Sequence, residues 1–147
     1  MLPAGCMGVC FSVSLRRATL SMMKKAISTP QAPAAIGPYS QAAAGGSILF
    51  VSGQLPIDPA TGAIVEGGVA AQARQSLKNI VAILEAAGLT TSNVLKTTVY
   101  LADIADFGVV NEVYATFFEA PYPARAAFAA AGLPKGALVE IECVAAY

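Results

Sequence analysis

The stretch Val69–Ala87, VAAQARQSLKNIVAILEAA, decides the fold class because it predicts an amphipathic helix between segments of strand character. Its apolar side chains recur at spacings of three and four, which places them on one helical face. The predicted apolar face consists of Val69, Ala73, Leu77, Ile80, Val81 and Leu84. The other face is taken mostly by Gln72, Arg74, Gln75, Lys78 and Asn79. Gly88 follows where a helix C-cap is expected.

Segments rich in β-branched residues flank this helix. Ser47–Gln54, SILFVSGQ, precedes it, and the turn sequence DPATG at 58–62 lies between the two. Val94–Leu101, VLKTTVYL, follows it as a second strand. Before the first strand, a proline-punctuated and irregular lead-in ends at GPYSQ, residues 37–41.

A second helix and two closing strands complete the predicted order. Asp106 is the expected cap of this helix, which ends before Pro121. Its predicted apolar face consists of Val109, Val110, Val113, Tyr114 and Phe117. The segments RAAFAAA (125–131) and LVEIECVAAY (138–147) have strand character and are separated by Gly-Leu-Pro at 132–134. The order predicts an α+β fold, a mixed β-sheet with two helices packed on one face.

Composition limits the function classes. The 147 residues fit one domain; 56% are apolar and only 12% are charged, so apolar surface is left over for an oligomer interface. The formal net charge of zero argues against a nucleic-acid partner. No apolar run has the roughly 18 residues that a membrane span needs. The chain has no histidine, the commonest metal ligand and general base, so we expect no metal.

Residues 1–22 differ from the domain expected at 23–147. An apolar, serine-containing run is followed by Arg16 and Arg17, and no acidic residue precedes Asp58. Two interpretations stay open: a mitochondrial or plastid transit peptide, or an upstream extension of a cytoplasmic protein whose translation starts at Met22 or Met23. The three cysteines, Cys6, Cys10 and Cys143, form neither a disulfide framework nor a plausible zinc site, which favours a reducing compartment.

Arg125, Glu140 and Glu142 are the charged residues to explain near the apolar C-terminus. An arginine offers a planar fork of donors suited to a carboxylate. Glu140 and Glu142 share one strand face, where mutual repulsion can raise a carboxyl pKa into the range of a general acid or base. The alternatives are a structural pair between Arg125 and a glutamate, a surface arginine, and a solvated strand face.

Four further residues are weaker candidates. Tyr39 follows the Gly-Pro turn of GPYSQ, where its hydroxyl can meet a ligand, although a packed tyrosine is the commoner case. Asn111 is a lone amide on the second predicted helix. Ser52 lies beside Gly53, which permits close backbone approach.

The series GPYSQ, VSGQLPIDPATG, AAQARQSLKNI, VLKTTVYLADIADF, VNEVYATFF, YPAR and LPKGALVEIE resembles the reactive intermediate deaminase (Rid/YjgF) family, in its RidA-type branch, over about residues 23–147. The resemblance implies a chorismate-mutase-like fold and a homotrimer with clefts between subunits. It also implies cofactor-free hydrolysis of enamines and imines, such as 2-aminoacrylate and 2-iminobutanoate, to 2-keto acids and ammonia.

The resemblance also assigns roles to residues. Arg125 matches the arginine that holds the substrate carboxylate, and Glu140 the glutamate that handles the attacking water. Tyr39 and Asn111 match cleft residues, and Ser52 and Gly53 match the strand beside the site.

One position departs from the family pattern. Ala127 stands where RidA-type members often carry a cysteine, whose backbone groups an alanine still offers.

Two other functions remain alternatives. One is a non-catalytic trimer that binds small 2-keto or 2-amino acids. The other is an endoribonuclease, an activity attributed to some relatives of this family. A formal net charge of zero disfavours it, because RNA binding needs positive charge.

Overall fold

A mixed six-stranded sheet organises the computed structural model, which describes residues 23–147. The strands are β1 (Lys25–Ile27), β2 (Ala42–Gly45), β3 (Ile48–Gln54), β4 (Val94–Leu101), β5 (Ala124–Ala129) and β6 (Val139–Ala146). They lie in the order β1-β2-β3-β6-β4-β5, in which β4 and β5 are parallel and every other neighbouring pair is antiparallel. The expectations for residues 1–22, including Cys6, Cys10 and a transit peptide, lie outside the described residues.

Two helices, α1 (Gly68–Ala86) and α2 (Phe107–Tyr114), pack on one face of this sheet, which confirms the predicted α+β architecture. Leu77, Ile80 and Leu84 of α1 are fully or almost fully buried against Leu49 and Ile141 of the sheet. Each such side chain stabilises the fold by about 1.5–3 kcal/mol relative to exposure. None of the helices among residues 23–147 is long and apolar enough to cross a membrane.

The polar face predicted for α1 is partly wrong. Gln72 and Asn79 are buried, and Ile83 belongs to the core, whereas Val81 of the predicted apolar face does not. The Asn79 amide donates to the carbonyls of Leu55 and Ile57, at 3.1 and 2.9 Å. Because these bonds join segments distant in sequence, helical periodicity does not reveal that the amides are satisfied inside the protein.

Asp106 is the N-cap residue of α2, as predicted, but its side chain makes no capping hydrogen bond. Asp103, not Asp106, accepts a hydrogen bond from a backbone N–H, that of Ala105 at 2.9 Å. A short 3-10 turn at Ile104–Asp106 precedes α2, and the N–H that Asp103 binds belongs to this turn. Val110, Val113 and Tyr114 are buried as predicted, whereas Val109 is exposed.

Strand β1 lies in the segment predicted to be irregular, and β2 follows directly after that segment, where no element was predicted. Both are short, and their alanines lack the β-branched signature of a strand. β4 has the predicted limits, and Gly88 ends α1 at φ +76°, where Leu89 N–H donates to Leu84 C=O. Helix α2 ends earlier than predicted, at Tyr114, so Phe117 lies beyond it.

Candidate functional site

The predicted site residues lie on opposite faces of the sheet. Arg125 of β5 pairs with Thr97 of β4, whose hydroxyl reaches Tyr114 on α2, so Arg125 shares the helix-covered face. Glu140 and Glu142 pair with Tyr100 and Thr98 of the same strand, which point to the other face. A structural ion pair between Arg125 and either glutamate is therefore not made across the sheet of one chain.

The first group of residues, here the cation half, surrounds Arg125 at the edge of the sheet. The Arg125 guanidinium lies 4.6 Å from the ring centroid of Tyr114 and 5.5 Å from that of Phe107. These cation–π contacts fix the direction of an otherwise exposed side chain. The Tyr114 ring is itself held by a 2.8 Å hydrogen bond between its hydroxyl and that of Thr97.

Asn111 belongs to the cation half. Phe107, Asn111 and Tyr114 stand at helical positions i, i+4 and i+7, so α2 presents all three towards Arg125. A cavity of about 380 Å³ is lined by Asn111, Tyr114, Ala115, Tyr122, Pro123 and Arg125. The cavity offers an amide and a guanidinium, which are donors for an anionic ligand.

The second group, here the carboxylate half, contains Glu140 and Glu142 beside strand β3. Both side chains are half-buried on one strand face, as their spacing predicts. Burial raises the pKa of Glu140, and the negative charge of Glu142 raises it further. A carboxyl group whose pKa is raised towards neutrality is suited to moving a proton to or from water.

Tyr39, Ser52, Gly53, Glu140 and Glu142 line one cavity of about 500 Å³. Apolar side chains form much of the remaining wall, including Ile36, Leu55 and Ile57. The cavity therefore joins a carboxylate of raised pKa to a tyrosine hydroxyl and an apolar surface. Five of the residues singled out from the sequence are brought together here, and Arg125 and Asn111 are not among them.

Gln41 shapes the segment that carries Tyr39, and the sequence analysis missed it. Its side chain is only 4% exposed; its carbonyl oxygen accepts from Thr29 N–H at 2.7 Å. Its amide nitrogen donates to the carbonyls of Thr29, Ala32 and Pro33, at 2.8–3.1 Å. The sequence contained one signal of this role. Gln41, the last residue of GPYSQ, precedes a run of alanines, and such a run is not typical of a solvent-exposed loop.

Ser52 ties the same segment to β3. Its hydroxyl donates to the Ser40 carbonyl at 2.7 Å, and its backbone N–H donates to the Gln41 carbonyl at 3.0 Å. Tyr39, next to Ser40, is still 49% exposed. Ser52 and Gln41 therefore hold the backbone on both sides of a tyrosine whose ring faces the solvent and the cavity.

Ala127 lines neither of these two cavities, whereas Cys143 lines a third, of about 620 Å³, together with Glu142. Ala127, two residues after Arg125, pairs with Val99 and packs partly against the core. Cys143 is buried, and this burial raises the pKa of its thiol to about 12. The thiol is thus neutral at physiological pH and unsuited to nucleophilic attack.

Tyr100 is a second residue that the sequence analysis passed over. It stands directly opposite Glu140 in the β4–β6 register, and its ring meets Phe128 edge-on with centroids 5.3 Å apart. Partial burial, hydrogen bonding to Glu142 and the charges of both glutamates raise its pKa. Its hydroxyl therefore stays protonated and remains a donor beside the carboxylate pair.

Comparison with known proteins places this geometry in a family. Residues 29–147 match the family model described as Endoribonuclease L-PSP, which covers all of the sheet beyond β1 and both helices. The chain belongs to this family, and the resemblance to its Rid/YjgF members is confirmed.

Individual relatives in this family are similar over most of the chain. A rat protein named 2-iminobutanoate/2-iminopropanoate deaminase is 56% identical over 125 residues, which are 85% of this chain and 91% of that protein. An Arabidopsis protein named Reactive Intermediate Deaminase A, chloroplastic, is 49% identical over 90% of this chain and 71% of its own length. The crystal structure of RidA from an Antarctic Psychrobacter superposes with a TM-score of 0.81 at 49% identity, covering 84% of this chain and 99% of that one.

Proposed function

We propose that this family member hydrolyses reactive imines and enamines of small 2-amino acids to 2-keto acids and ammonia. The names of its relatives support this activity, since rat and human proteins 54–56% identical to it are 2-iminobutanoate/2-iminopropanoate deaminases. One structural observation carries the proposal: the chain holds a guanidinium, fixed by an aromatic contact, apart from a carboxyl group whose pKa is raised. Together, these two groups would hold an anionic substrate and handle its water.

The active site is completed between two copies of the chain in a homotrimer. Arg125 and Glu140 face opposite sides of one sheet, so a small substrate cannot touch both within a single chain. The face that carries Glu140 also exposes Phe50 and Phe128, apolar side chains that a neighbouring copy would cover. Closed symmetry then repeats the same cleft between each pair of subunits.

In this cleft the Arg125 guanidinium binds the substrate carboxylate through its two-pronged donor face, while Asn111 donates a further hydrogen bond. An enamine such as 2-aminoacrylate first gains a proton from solvent on its terminal carbon and loses one from its nitrogen to solvent, which gives the imine. Glu140 accepts a proton from water as the water oxygen attacks the imine carbon. The C=N double bond becomes a single bond, and the nitrogen gains a proton from solvent.

Collapse of the resulting carbinolamine releases the products. Its hydroxyl proton returns to solvent, a C=O double bond forms and the C–N bond breaks, so that one imine and one water give one keto acid and one ammonia. The raised pKa of Glu140 lets the same carboxyl group return its proton to the leaving nitrogen. Tyr39 and the backbone at Ser52 and Gly53 form the wall beside the reacting atoms, and Ala127 offers only backbone groups.

Subunit complementation tests the shared site. Arg125→Ala and Glu140→Gln chains, carrying different affinity tags, are co-expressed and the mixed trimers are purified through both tags. Each parent is inactive alone, but in every mixed trimer one of the three clefts, about one third, combines an intact Arg125 with an intact Glu140. We expect ammonia and keto-acid release from 2-aminoacrylate, generated in situ, to return to that fraction of the wild-type rate.

In the matched control, both kinds of chain lack Arg125. Co-assembly of Arg125→Ala chains with Arg125→Ala/Glu140→Gln chains leaves every cleft without its guanidinium, so no activity returns. If complementation fails while both variants form trimers, the site does not span two subunits. If wild-type protein does not accelerate hydrolysis yet saturably binds a 2-keto acid, the non-catalytic binding module replaces the deaminase. Cleavage of RNA by the purified protein would instead favour the endoribonuclease.

The compartment follows from residues 1–22. We propose a cytoplasmic protein if translation starts at Met22 or Met23, and an organellar one if the segment is a transit peptide, as the chloroplastic Arabidopsis relative suggests. Fluorescent fusions of residues 1–22 and of residues 23–147 in cells distinguish the two. Organellar import by the short fusion alone indicates targeting, and a diffuse signal from both indicates the cytoplasm.

A further inference from the structure

The carboxylate of Glu140 lies where the side chain of residue 53 would be. A β-carbon added to Gly53 would collide with Glu140 Oε1 and lie 3.0 Å from its Cδ and 3.3 Å from its Cγ. Among the glycines that the structure describes, no other would bring a β-carbon within 3.0 Å of a neighbouring atom. The Glu140 side chain therefore packs directly onto the backbone of β3.

Backbone conformation does not explain why a glycine stands at this position. Gly53 does not adopt a positive φ, unlike Gly46, Gly62 and Gly88. Any L-residue could follow the same path of the chain. Space is the remaining reason, and the atoms that need this space are those of the Glu140 carboxyl group.

The local irregularity of the sheet contributes to this space. Val51 pairs with Cys143 and Gln54 with Ile141, so three steps along β3 match two along β6. This bulge sets Ser52 and Gly53 opposite Glu142 in the register, and the side chain of Glu140, the next residue on the same face of β6, reaches the backbone of Gly53. Bulges commonly re-aim a side chain beside a functional site.

We propose that Gly53 is a positioning residue, whose missing side chain forms a niche that seats the Glu140 carboxylate. Within the niche, the strand backbone shields one side of the carboxyl group from solvent. The other side faces the cavity shared with Tyr39 and Ser52. The inference rests on the proposed function only for the consequence on turnover, since the seating itself is a property of the folded chain.

Gly53→Ala tests the niche. The clash involves the free end of a flexible side chain, so we expect the carboxylate to swing towards solvent while the strand stays in place. The pKa of Glu140 then falls towards its ordinary value, because burial is the main cause that raises it. The turnover number kcat falls about 10- to 100-fold, as for a misplaced catalytic group, while KM changes little because Arg125 is untouched.

Gly45→Ala is the matched control. Gly45 lies in strand β2, has no positive φ, and an added β-carbon there meets nothing within 4 Å. We expect this variant to keep the wild-type kcat, the wild-type Glu140 titration and the wild-type melting temperature. A general effect of replacing strand glycines would appear equally in both variants.

Shortening the side chain of residue 140 should partly rescue the Gly53→Ala variant. Glu140→Asp withdraws the carboxylate by one methylene, which harms the wild-type background by leaving the niche empty. In the Gly53→Ala background the same change removes the collision, so the second substitution costs less than it does alone. Additive losses in kcat would overturn the proposal, because they would mean that residues 53 and 140 act independently.

Titration of the Glu140 carboxyl carbon by NMR separates this inference from the proposed function. A lowered Glu140 pKa in Gly53→Ala supports the niche even if the wild-type protein turns out not to hydrolyse imines. An unchanged pKa together with an unchanged kcat overturns the niche while leaving the deaminase intact. If Gly53→Ala does not fold, Glu140→Ala is added; restored folding supports the contact, and continued unfolding excludes it.

Discussion

The cation half and the carboxylate half are built by opposite means. Arg125 is exposed at the edge strand β5 and is aimed by stacking on two aromatic rings of α2. Glu140 lies in the sheet interior on β6, half-buried against the backbone of β3. An arginine stays charged in any setting, so it needs only direction, whereas a carboxyl group needs partial burial to raise its pKa.

The largest expected effect comes from removing the titrating group of the carboxylate half. Glu140→Gln keeps the shape of the side chain and should lower kcat by about 10²- to 10⁴-fold, the usual contribution of a general acid–base group. Retained binding of a 2-keto acid, measured by calorimetry, would show that the cation half works without it. Near-normal turnover would contradict the assignment of proton transfer to the carboxylate half and of substrate binding to the cation half.

The same variant should be more stable than the wild type at neutral pH. The raised pKa of Glu140 means that the folded state binds this proton more tightly than the unfolded state. That stabilisation is complete below the unfolded pKa and is lost as pH rises through the folded pKa. Glutamine does not titrate, so thermal melts at pH 4 and pH 7 should show an advantage of Glu140→Gln only at pH 7. Glu85→Gln, on the exposed surface of α1, is the control.

Next in size is the loss of the guanidinium. Arg125→Ala removes the two charge-assisted hydrogen bonds that we propose to the substrate carboxylate, worth about 1.5–3 kcal/mol each, so kcat/KM should fall about 100-fold or more. Arg125→Lys should recover little of this, because a point charge does not replace the planar fork. Arg74→Ala, an exposed arginine on α1, should leave the kinetics unchanged. Equal losses in both alanine variants would indicate a general charge effect.

A smaller effect is expected from the support of Tyr39. Gln41→Ala leaves the Thr29, Ala32 and Pro33 backbone groups without their buried partner, which costs about 2–4 kcal/mol of unfolding free energy. Urea denaturation measures this cost, and limited proteolysis should show new cleavage within residues 28–40. Gln31→Ala, an exposed position in the same segment, is the control. An unaltered cleavage pattern would mean that the bonds to Gln41 do not hold the segment.

The smallest expected effect concerns the orientation of the Arg125 side chain. Phe107→Leu removes one of the two aromatic contacts at an exposed position, where such a contact contributes about 0.5–1 kcal/mol. We expect KM to rise about two- to fivefold with kcat unchanged. Val109→Ala, equally exposed on α2, should change neither. A fall in kcat in the phenylalanine variant would show that α2 also influences the chemical step.

Local patterns predicted the elements better than they predicted their surroundings. The limits of α1 and β4 were foreseen within one residue, because helical spacing and β-branched runs are properties of consecutive residues. Strands β1 and β2 were missed, since their short, alanine-rich segments become strands only by pairing, β2 with β3 and β1 with β2. Gln72 and Asn79 were assigned to the wrong face because their hydrogen-bond partners are distant in sequence.

The amino-acid sequence by itself determined the fold class, the common face of Glu140 and Glu142, and the identity of the charged groups available for chemistry. Those properties depend on residue type and on spacing within one element. Only the tertiary structure decided that Arg125 faces away from both glutamates and that Glu140 occupies the space left by Gly53. These relations depend on register across three strands, and a shift of one residue in pairing would reverse the faces.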